Sequence, residues 1–351
     1  MHVHLQSCSG NDAPDWLPLK SMLKSLMFCF CLAACALPFG VAHAETHPGE
    51  AALVREVAKA TGKSPKALTA ILDKAKMQQS IIDAMNRPAE AKPWRDYRPI
   101  FMNDKRIGDG VAFYRANRGL VDDTARKYGV APEIIVAIVG VETSYGKILG
   151  KYKVIDALVT LAFYYPKRAP FFRSELKALL MLPDNHLAGP IDTLVGSYAG
   201  AQGWGQFMPS SIRDWGVDAD GNGHIDMRNS LPDILASVAN YFAKHGWEAG
   251  GPVAIRAQPD KSPELPEIND FVPRWSLEQF MAWGFAPVQH TDPGRQATVV
   301  RLDGPTGDEY WFTFNNFLVI TKYNRSPLYA MAVNQLAQAI AMQVRGSTVL
   351  Q

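Results

Sequence analysis

Apolar side chains recur at intervals of three and four residues through most of the chain before residue 250 and again near its end. This spacing predicts a helix beginning at Trp94 and further helices over residues 50–61, 64–77, 114–128, 154–163, 171–182, 237–245 and 330–344. Between residues 251 and 320 the pattern changes to proline-containing loops and short β-like runs at 297–302, 310–314 and 317–320. The chain is therefore predicted to be α+β and predominantly helical, with a small antiparallel sheet.

The stretch from residue 131 to 150 contains an unusual acidic position. Pro132 suits the first helical turn, and Ile135, Ile138 and Val139 then share one face of the predicted helix. The next residue on that face is Glu142, where the pattern favours an apolar side chain. Burial penalises the charged form of a carboxyl group, so we expect the pKa of Glu142 to rise and the group to serve as a general acid. The alternative is a Glu142 that is paired with an Arg or Lys from elsewhere in the fold.

The first 44 residues have the pattern of a secretory signal peptide. Two lysines precede an apolar run at residues 26–37, and Ala-His-Ala at 42–44 has the form of a cleavage site. Met22 is an alternative start. A competing interpretation is that residues 32–35, Leu-Ala-Ala-Cys, form a lipobox whose Cys35 carries a lipid that anchors the protein to the outer membrane. Both interpretations predict a periplasmic protein.

Composition limits the possible functions. All four cysteines precede residue 45, so the predicted mature chain has neither a disulfide framework nor thiolate chemistry. The formal net charge is only +2, and no basic footprint for nucleic acid is evident. No organic cofactor is expected, and the chain is predicted to be a monomer. Aromatic and neutral polar side chains would suit a carbohydrate.

A glycine-rich segment lies at residues 196–209. Its glycines at 196, 200, 203 and 205 predict a close approach of the backbone, but no Lys-Ser or Lys-Thr follows as a phosphate loop would require. A tightly packed helix start that lines a sugar groove fits the segment better.

Residues 218–226 follow the calcium loop of an EF-hand through its ninth position, with the characteristic glycine at 223. The bidentate Glu expected at position 12 is replaced by Asn229, and Asp233 could supply that carboxylate if the loop is longer than usual. The predicted Ca²⁺ site is structural, and an Asp/Asn/Gly turn without metal is the alternative. The candidate ligands are Asp218, Asp220, Asn222, His224 through its carbonyl group, and Asp233.

Five motifs occur together and in order. They are Gly-Val-Glu-Thr at 140–143, Tyr-Pro-Lys-Arg at 165–168, Gly-Trp-Gly-Gln-Phe-Met-Pro-Ser at 203–210, Ser-Val-Ala-Asn-Tyr-Phe at 237–242 and Ile-Thr-Lys-Tyr-Asn-Arg-Ser at 320–326. In this combination the chain resembles the membrane-bound lytic transglycosylase B family of murein-cleaving enzymes over nearly all of its predicted mature length. The resemblance implies a lysozyme-like helical core with an EF-hand-like calcium loop, a small β subdomain and peptidoglycan strands as the substrate.

The resemblance also divides the chain into regions. They are the signal peptide at 1–44, an N-terminal helical region at 45–130, the lysozyme-like catalytic core at 131–250 with its calcium-type loop at 218–233, a β-containing subdomain at 251–320, and a groove segment with the C-terminal helix at 321–351.

Roles for single residues follow from the same resemblance. Glu142 is implied to be the only acid/base, Ser197 to hold its carboxyl group, and Gln206 to contact the N-acetyl group or ring substituents of a sugar. Arg168 and Lys167 would face the lactyl or peptide carboxylates of muramic acid, although a Lys at 167 loses the bidentate contact of an Arg. The remaining groove residues would be Tyr97, Tyr241, Tyr323, Asn324 and Tyr329. Taken alone, Tyr97 could be a core residue or stack on a ligand, and core is the default for a single aromatic residue.

The number of carboxylates decides the expected mechanism. Most glycoside hydrolases use two, and these motifs supply only Glu142. With one carboxylate the substrate must provide the nucleophile, so we expect the C6 hydroxyl of N-acetylmuramic acid to close onto C1 as a 1,6-anhydro end. A lysozyme-type muramidase that uses water and a non-catalytic peptidoglycan-binding protein are the alternatives.

Overall fold

The computed structural model describes residues 46–87, 92–260 and 270–346. The predicted signal peptide, its cleavage site and Cys35 lie outside these residues. The described residues belong to one compact unit. The five-part division of the chain stays a prediction.

The described residues form fourteen α-helices and three short 3₁₀-helices, the latter at Pro166–Arg168, Asp184–His186 and Ile191–Thr193. The α-helices are α1 (Glu50–Thr61), α2 (Pro65–Leu72), α3 (Gln79–Met85), α4 (Trp94–Phe101), α5 (Asp104–Ala116), α6 (Arg118–Tyr128), α7 (Pro132–Thr143), α8 (Val154–Tyr164), α9 (Ala169–Met181), α10 (Pro209–Trp215), α11 (Leu231–Lys244), α12 (Leu277–Ala282), α13 (Asn315–Tyr323) and α14 (Pro327–Gly346).

Two antiparallel sheets accompany the helices. The strands are β1 (Tyr152–Lys153), β2 (Val195–Gly196), β3 (Ala254–Pro259), β4 (Trp275–Ser276), β5 (Phe285–Pro287), β6 (Gln296–Gly304) and β7 (Gly307–Thr313). The first two strands form a small sheet, and the other five form a sheet in the order β4-β6-β7-β3-β5. Its central pair, β6 and β7, runs in register from Thr298 opposite Thr313 to Gly304 opposite Gly307.

Helix α7 lies at the centre of the helical core. All its residues from Ile134 to Val141 are buried, and it packs against α5, α6, α11 and α14. A helix that is apolar on every side is typical of a protein interior. Each large side chain that is buried in this way contributes about 1.5–3 kcal/mol to folding. The backbone that leads into Glu142 is therefore held on all sides.

The five-stranded sheet has an apolar cluster of its own. Phe280 of α12 packs beside Phe312 of β7, and Ile255, Phe285 and Val299 belong to the same cluster. The expected antiparallel sheet is thus present. Ala254, Val300 and Leu302 of the same sheet belong to the core that the helices share, so the sheet packs against the helical core as well.

Three of the predicted elements were wrong in detail. The helix expected at 114–128 is two helices, because Asn117 leaves helical geometry between α5 and α6. The helix expected at 64–77 ends at Leu72, since the backbone N–H groups of Lys76 and Gln78 instead bind side chains of α8.

The β-like run at 317–320 lies in helix α13, where Phe317, Val319 and Ile320 are fully buried. A short apolar run does not distinguish a buried helix from a strand. No helix among residues 46–87, 92–260 and 270–346 has both the length and the apolar character needed to cross a membrane.

Candidate active site

Helix α7 ends in a tight turn directly after Glu142. Ser144 and Tyr145 both adopt the left-handed backbone conformation, with φ values of 51° and 59°. Thr143 holds this turn, because its hydroxyl lies 3.1 Å from the carbonyl oxygens of Val139 and Trp204 and accepts the N–H of Gly146. Left-handed geometry is costly for residues other than glycine and persists only where the surroundings enforce it.

The contacts of the Tyr145 side chain keep the turn in this left-handed conformation. Its ring packs over Gly140 so closely that an added Cβ there would lie 2.7 Å from ring atoms, and Gly110 is in similar contact with the hydroxyl. The hydroxyl donates to the carbonyl oxygen of Arg106 at 2.9 Å. Burial raises the pKa of Tyr145 well above its usual range. The turn beside Glu142 is therefore fixed by a neutral, buried tyrosine.

Glu142 is half-buried at the end of α7. Its Oε1 accepts a hydrogen bond of 2.6 Å from the hydroxyl of Tyr329, a residue of α14 that is 2% exposed. Burial, followed by the charge of Glu142, raises the pKa of Tyr329 and of Tyr323 well above the usual range. Both phenols therefore remain protonated across the physiological pH range, and the hydroxyl of Tyr329 stabilises the carboxylate by donating to it.

Aromatic rings form the wall beside this carboxylate. The rings of Tyr241 and Tyr323 lie 4.8 Å apart, and Phe207 packs edge-on against both. Tyr241 donates to the carbonyl oxygen of Lys322 at 2.7 Å, and burial raises its pKa to about 12. Tyr323 donates to the carbonyl oxygen of Gly205. These contacts join α11, α13 and the glycine-rich segment into one wall.

The predicted groove tyrosines differ in exposure. Tyr97, Tyr241 and Tyr329 are buried, and Tyr97 packs between Trp94 and Phe101. Asn324 follows α13 and is half-buried. Because these tyrosines are buried, they are better placed to shape the floor of the groove than to stack directly on a sugar with their ring faces. Their role in substrate binding stays a prediction.

The glycine-rich segment forms a turn, and the expected helix start lies only at its last residue, Pro209. Gln202 and Phe207 exchange two backbone hydrogen bonds of 2.9 Å, and α10 begins only at Pro209. Between them Gln206 has a φ of 48°, and its side-chain Nε2 donates to the carbonyl oxygen of Gly203 at 2.9 Å. This contact fixes the side chain of Gln206 relative to the turn.

Ser197 lies where the glycine-rich segment leaves β2. Its Oγ accepts the backbone N–H groups of Ala199 and Ala201 at 3.3 and 3.1 Å. Since both contacts use acceptor positions of the oxygen, the hydroxyl hydrogen can still be donated.

Lys167 and Arg168 lie on the surface, in the 3₁₀-turn before α9. The guanidinium carbon of Arg168 lies 4.7 Å from the ring centre of Phe171. The ammonium group of Lys167 lies 3.5 Å from Oδ1 of Asn86. Both cations are therefore accessible to an anionic ligand.

The predicted calcium loop brings three carboxylates together. Asp218, Asp220 and Asp233 each contribute an oxygen to a cluster in which all three atoms lie within 4.8 Å of one another, and Asp233 is fully buried at the start of α11. Oxygen donors of this kind and spacing fit a Ca²⁺ ion. Asn229 instead donates its side-chain amide to Asp226. Asp233 is therefore the better candidate for the missing carboxylate.

The other two predicted ligands lie on the same loop. The side-chain oxygen of Asn222 accepts the backbone N–H of His224 at 2.8 Å, and both residues are exposed. Metal binding by the five residues stays a prediction.

Sequence analysis missed the residues that hold the turn after Glu142. Thr143 directly follows Glu142 and Tyr145 lies three residues after it, so their closeness in sequence was a usable signal. The guanidinium group of Arg106, which donates to the carbonyl oxygen of Gly140, comes from α5, and no local pattern points to it.

Comparison with known proteins identifies the family. A family model described as the transglycosylase SLT domain matches residues 46–338. The chain belongs to this family. The membrane-bound lytic murein transglycosylase B of Escherichia coli K12 is 40% identical over 306 residues, which are 84% of this chain and 83% of that protein. The chain is therefore an enzyme, a lytic transglycosylase that acts on murein.

Solved structures of the family share the fold. Soluble lytic transglycosylase SltB1 from Pseudomonas aeruginosa, in its catenated form, is 43% identical with a TM-score of 0.79 and covers 86% of this chain and 99% of its own. The Escherichia coli lytic transglycosylase Slt35 in complex with calcium is 39% identical with a TM-score of 0.77, covering 85% and 94%. SltB3 from Pseudomonas aeruginosa in complex with NAG-NAM-pentapeptide is 29% identical with a TM-score of 0.71, covering 83% and 78%.

Proposed function

We propose that this transglycosylase cleaves the β-1,4 bond between N-acetylmuramic acid and N-acetylglucosamine with Glu142 as its single acid and base. The protonated Glu142 gives its proton to the glycosidic oxygen while the bond from that oxygen to C1 breaks. The resulting carboxylate then takes the proton of the C6 hydroxyl, whose oxygen bonds to C1. No water is consumed, Glu142 regains its proton, and the product ends in 1,6-anhydromuramic acid.

The observation that carries this proposal is the setting of Glu142. It lies half-buried at the end of a buried helix, its Oε1 accepts the hydroxyl of Tyr329, and its charge helps to raise the pKa of Tyr323 and of Tyr329. A carboxyl group in such a half-buried, phenol-lined setting suits the alternation between acid and base that the reaction needs.

Ser197 and Gln206 fit roles in positioning. Ser197 has a hydroxyl hydrogen to donate, either to the carboxyl group of Glu142 or to the acetamido group of the sugar. Gln206 is held by Gly203 in a backbone conformation that glutamine rarely adopts. A residue kept in such a conformation is a common feature of ligand-binding sites.

The stem peptide of the substrate and Ca²⁺ have candidate sites as well. Arg168 and Lys167 are exposed cations that suit the carboxylates of a muramyl peptide, and the relative SltB3 was solved with a pentapeptide-bearing ligand. Asp218, Asp220 and Asp233 would hold a structural Ca²⁺ together with oxygens of Asn222 and His224. The relative Slt35 was solved with calcium.

The experiment that tests the proposal is mass analysis of the products from purified sacculi. We expect muropeptides that are lighter by one water than those produced by a hydrolytic muramidase, and we expect their muramic ends to resist borohydride reduction. Reducible muramic ends as the main product would mean that water is the nucleophile, and the single-carboxylate mechanism would then be wrong.

Export is part of the proposal. Cleavage after Ala44 would release the enzyme into the periplasm, whereas lipidation at Cys35 would attach it to the outer membrane. The related Escherichia coli enzyme is membrane-bound by name. Fractionation of cells that express the wild type and Cys35→Ser distinguishes the two, since only a lipid-anchored protein changes its fraction. Retention of the uncleaved chain in the cytoplasm would contradict both.

A further inference from the structure

An open cleft of about 550 Å³ lies beside the small sheet that leads into Ser197. One side of the cleft is formed by the connection between α2 and α3, and the other by β1 and the start of α8. In the sheet, Tyr152 of β1 lies opposite Gly196, the residue that precedes Ser197. The cleft therefore borders the segment that carries a proposed substrate-binding residue.

Four exposed lysines line this cleft and form what we call the lysine face: Lys74, Lys76, Lys151 and Lys153. The ammonium group of Lys74 lies 3.7 Å from a carboxylate oxygen of Asp192, but the two side chains are 68% and 42% exposed, and such pairs contribute little. The other three lysines make no ion pair with a carboxylate of residues 46–87, 92–260 or 270–346. Their charge is therefore available to a ligand.

A buried carboxylate joins the two sides of the cleft. Asp156 of α8 is 5% exposed, and its two oxygens accept the backbone N–H of Lys76 at 3.0 Å and the side-chain amide of Gln78 at 2.7 Å. Among the described residues that line the cleft, Asp156 is the only acidic one. Since both of its oxygens hold the α2–α3 connection against α8, the cleft keeps an excess of positive charge on a fixed backbone.

Helix α3 connects the lysine face to the exposed cations before α9. Ser80, near the start of α3, lines the cleft, and Asn86, which follows its end, accepts a contact of 3.5 Å from the ammonium group of Lys167. Six residues of helix correspond to about 9 Å. Two groups of exposed cations therefore lie at the two ends of one short helix.

The flexibility of lysine indicates what this face binds. A lysine is a mobile point charge, so a group of exposed lysines suits mobile anionic groups better than one rigidly held ion. Murein carries short peptides on its muramic acid residues, and each peptide that is not cross-linked ends in a free carboxylate. The relative SltB3 was solved with a ligand that bears a pentapeptide. Complementary charge beside the groove would attract such peptides.

We propose that the lysine face binds the stem-peptide carboxylates of murein, as a second contact that is separate from Lys167 and Arg168. The inference rests on the proposed function in one respect, that stem-bearing strands occupy the groove beside Ser197, and it does not depend on the role of Glu142. Because each contact is solvated, the face adds affinity for peptide-bearing strands and leaves the chemical step unchanged.

The test is a calorimetric titration of the full chain carrying Glu142→Gln, which is expected to prevent turnover. The probes are short glycan strands that bear tetrapeptide stems, the same strands after an amidase has removed the stems, and uncharged N-acetylglucosamine oligomers. Lys151→Gln combined with Lys153→Gln removes two charges of the lysine face. We expect this double variant to weaken binding of the stem-bearing strands about three- to tenfold, as the loss of two solvated ion pairs implies. Its affinity for the other two probes should stay unchanged.

The matched control is Lys59→Gln combined with Lys127→Gln, which removes two exposed lysines of α1 and α6 that do not line the cleft. This control should change none of the affinities. An equal loss in the control would mean that net charge alone is responsible, and an equal loss with the stem-free strands would mean that the lysines contact the glycan. Either result would overturn the proposal, as would unchanged binding of the stem-bearing strands.

A further probe separates this inference from the proposed mechanism. The free stem tetrapeptide has no glycosidic bond, so its binding does not depend on whether Glu142 is the catalytic group. It should shift the backbone amide resonance of Tyr152 in ¹H–¹⁵N spectra, and the Lys151→Gln, Lys153→Gln protein should show a smaller shift. Cleavage of the strands by Glu142→Gln would contradict the mechanism and leave this measurement valid. A Tyr152 resonance that ignores the peptide, or responds equally in both proteins, would contradict the lysine face.

Discussion

At the end of α7 one carboxylate meets a buried phenol, whereas three carboxylates of the predicted calcium loop at 218–233 accept hydrogen bonds from backbone amides. Oε1 of Glu142 accepts the hydroxyl of Tyr329. Asp218 accepts three backbone N–H groups of its own loop, and Asp233 accepts those of Ala219 and Asp226.

The two environments suit different tasks. The N–H donors hold the carboxylate oxygens of the loop in fixed positions, which suits the coordination of a cation. The phenol of Tyr329 is a neutral donor to Glu142, a setting that suits exchange of a proton with a substrate. The comparison teaches that the donors around a carboxylate decide whether it is suited to metal binding or to acid–base chemistry. The following predictions test the two halves of this contrast.

The largest effect is expected for Glu142→Gln. The amide keeps the size of the side chain but cannot deliver or accept a proton, so turnover should fall by at least the ~10²–10⁴ that general acid–base catalysis usually contributes. Muropeptide release from sacculi measures turnover, and thermal unfolding should be nearly unchanged. The control is Glu133→Gln, at the start of the same helix, where the carboxylate pairs with Arg345 on the surface. Comparable loss in both variants would show that Glu142 has no special chemical role.

The sequence could predict those parts of this contrast that involve residues close together in the chain, and it could not predict the contacts between distant residues. Helix α7 and Glu142 at its end were accessible from a local pattern, and so was the spacing of Asp218 and Asp220. The partner of Glu142 was not, because Tyr329 lies 187 residues further on and meets it only when α14 packs against α7. The family resemblance named Tyr329 as a groove residue but did not reveal the hydrogen bond.

Local patterns also failed where tertiary contacts override them. The helix predicted over 64–77 ends early because α8 captures the backbone of Lys76 and Gln78. The run at 317–320 is helical because its apolar side chains are buried on several sides of α13. Hydrophobic periodicity and intrinsic propensity describe a segment in isolation. Neither includes the tertiary contacts with neighbouring elements that decide which secondary structure the segment adopts.

The next effect concerns the loop. If Ca²⁺ binds the folded protein alone, a free concentration of about 100 Kd adds about 2.7 kcal/mol to the free energy of unfolding. Calcium should therefore raise the melting temperature by several degrees relative to chelator, and Asp218→Ala should remove most of this rise while turnover persists. Asp123→Ala, at an exposed surface carboxylate, should keep the full rise. Identical melting curves with calcium and with chelator would exclude the site.

A smaller effect is expected for Tyr329→Phe. The change removes the hydrogen bond to Oε1 of Glu142 and leaves the buried ring in place. Hydrogen bonds to charged groups contribute about 1.5 kcal/mol or more, so kcat should fall about tenfold. Tyr114→Phe is a matched control, since its hydroxyl donates to a carboxylate of Asp122 at the same 2.6 Å. An equal fall in the control would mean that the effect arises from general stability.

The smallest effect separates the two sites by pH, because buried tyrosines surround Glu142 but not the loop. Burial raises the pKa of Tyr241 to about 12 in the folded protein, against a value near 10 when it is unfolded. Between these values the folded state binds more protons than the unfolded state, so stability is complete below pH ~10 and falls as the pH rises toward ~12. Tyr241 alone should contribute a decline of about 1.4 kcal/mol per pH unit in that window.

Urea unfolding at several pH values should show a shallower decline for Tyr241→Phe. Phe207→Leu, which disturbs the same ring contact without removing an ionisable group, should lower stability at every pH and keep the wild-type slope. A slope that is unchanged in Tyr241→Phe would mean that this phenol is solvated, and the buried hydroxyl wall beside Glu142 would have to be redrawn.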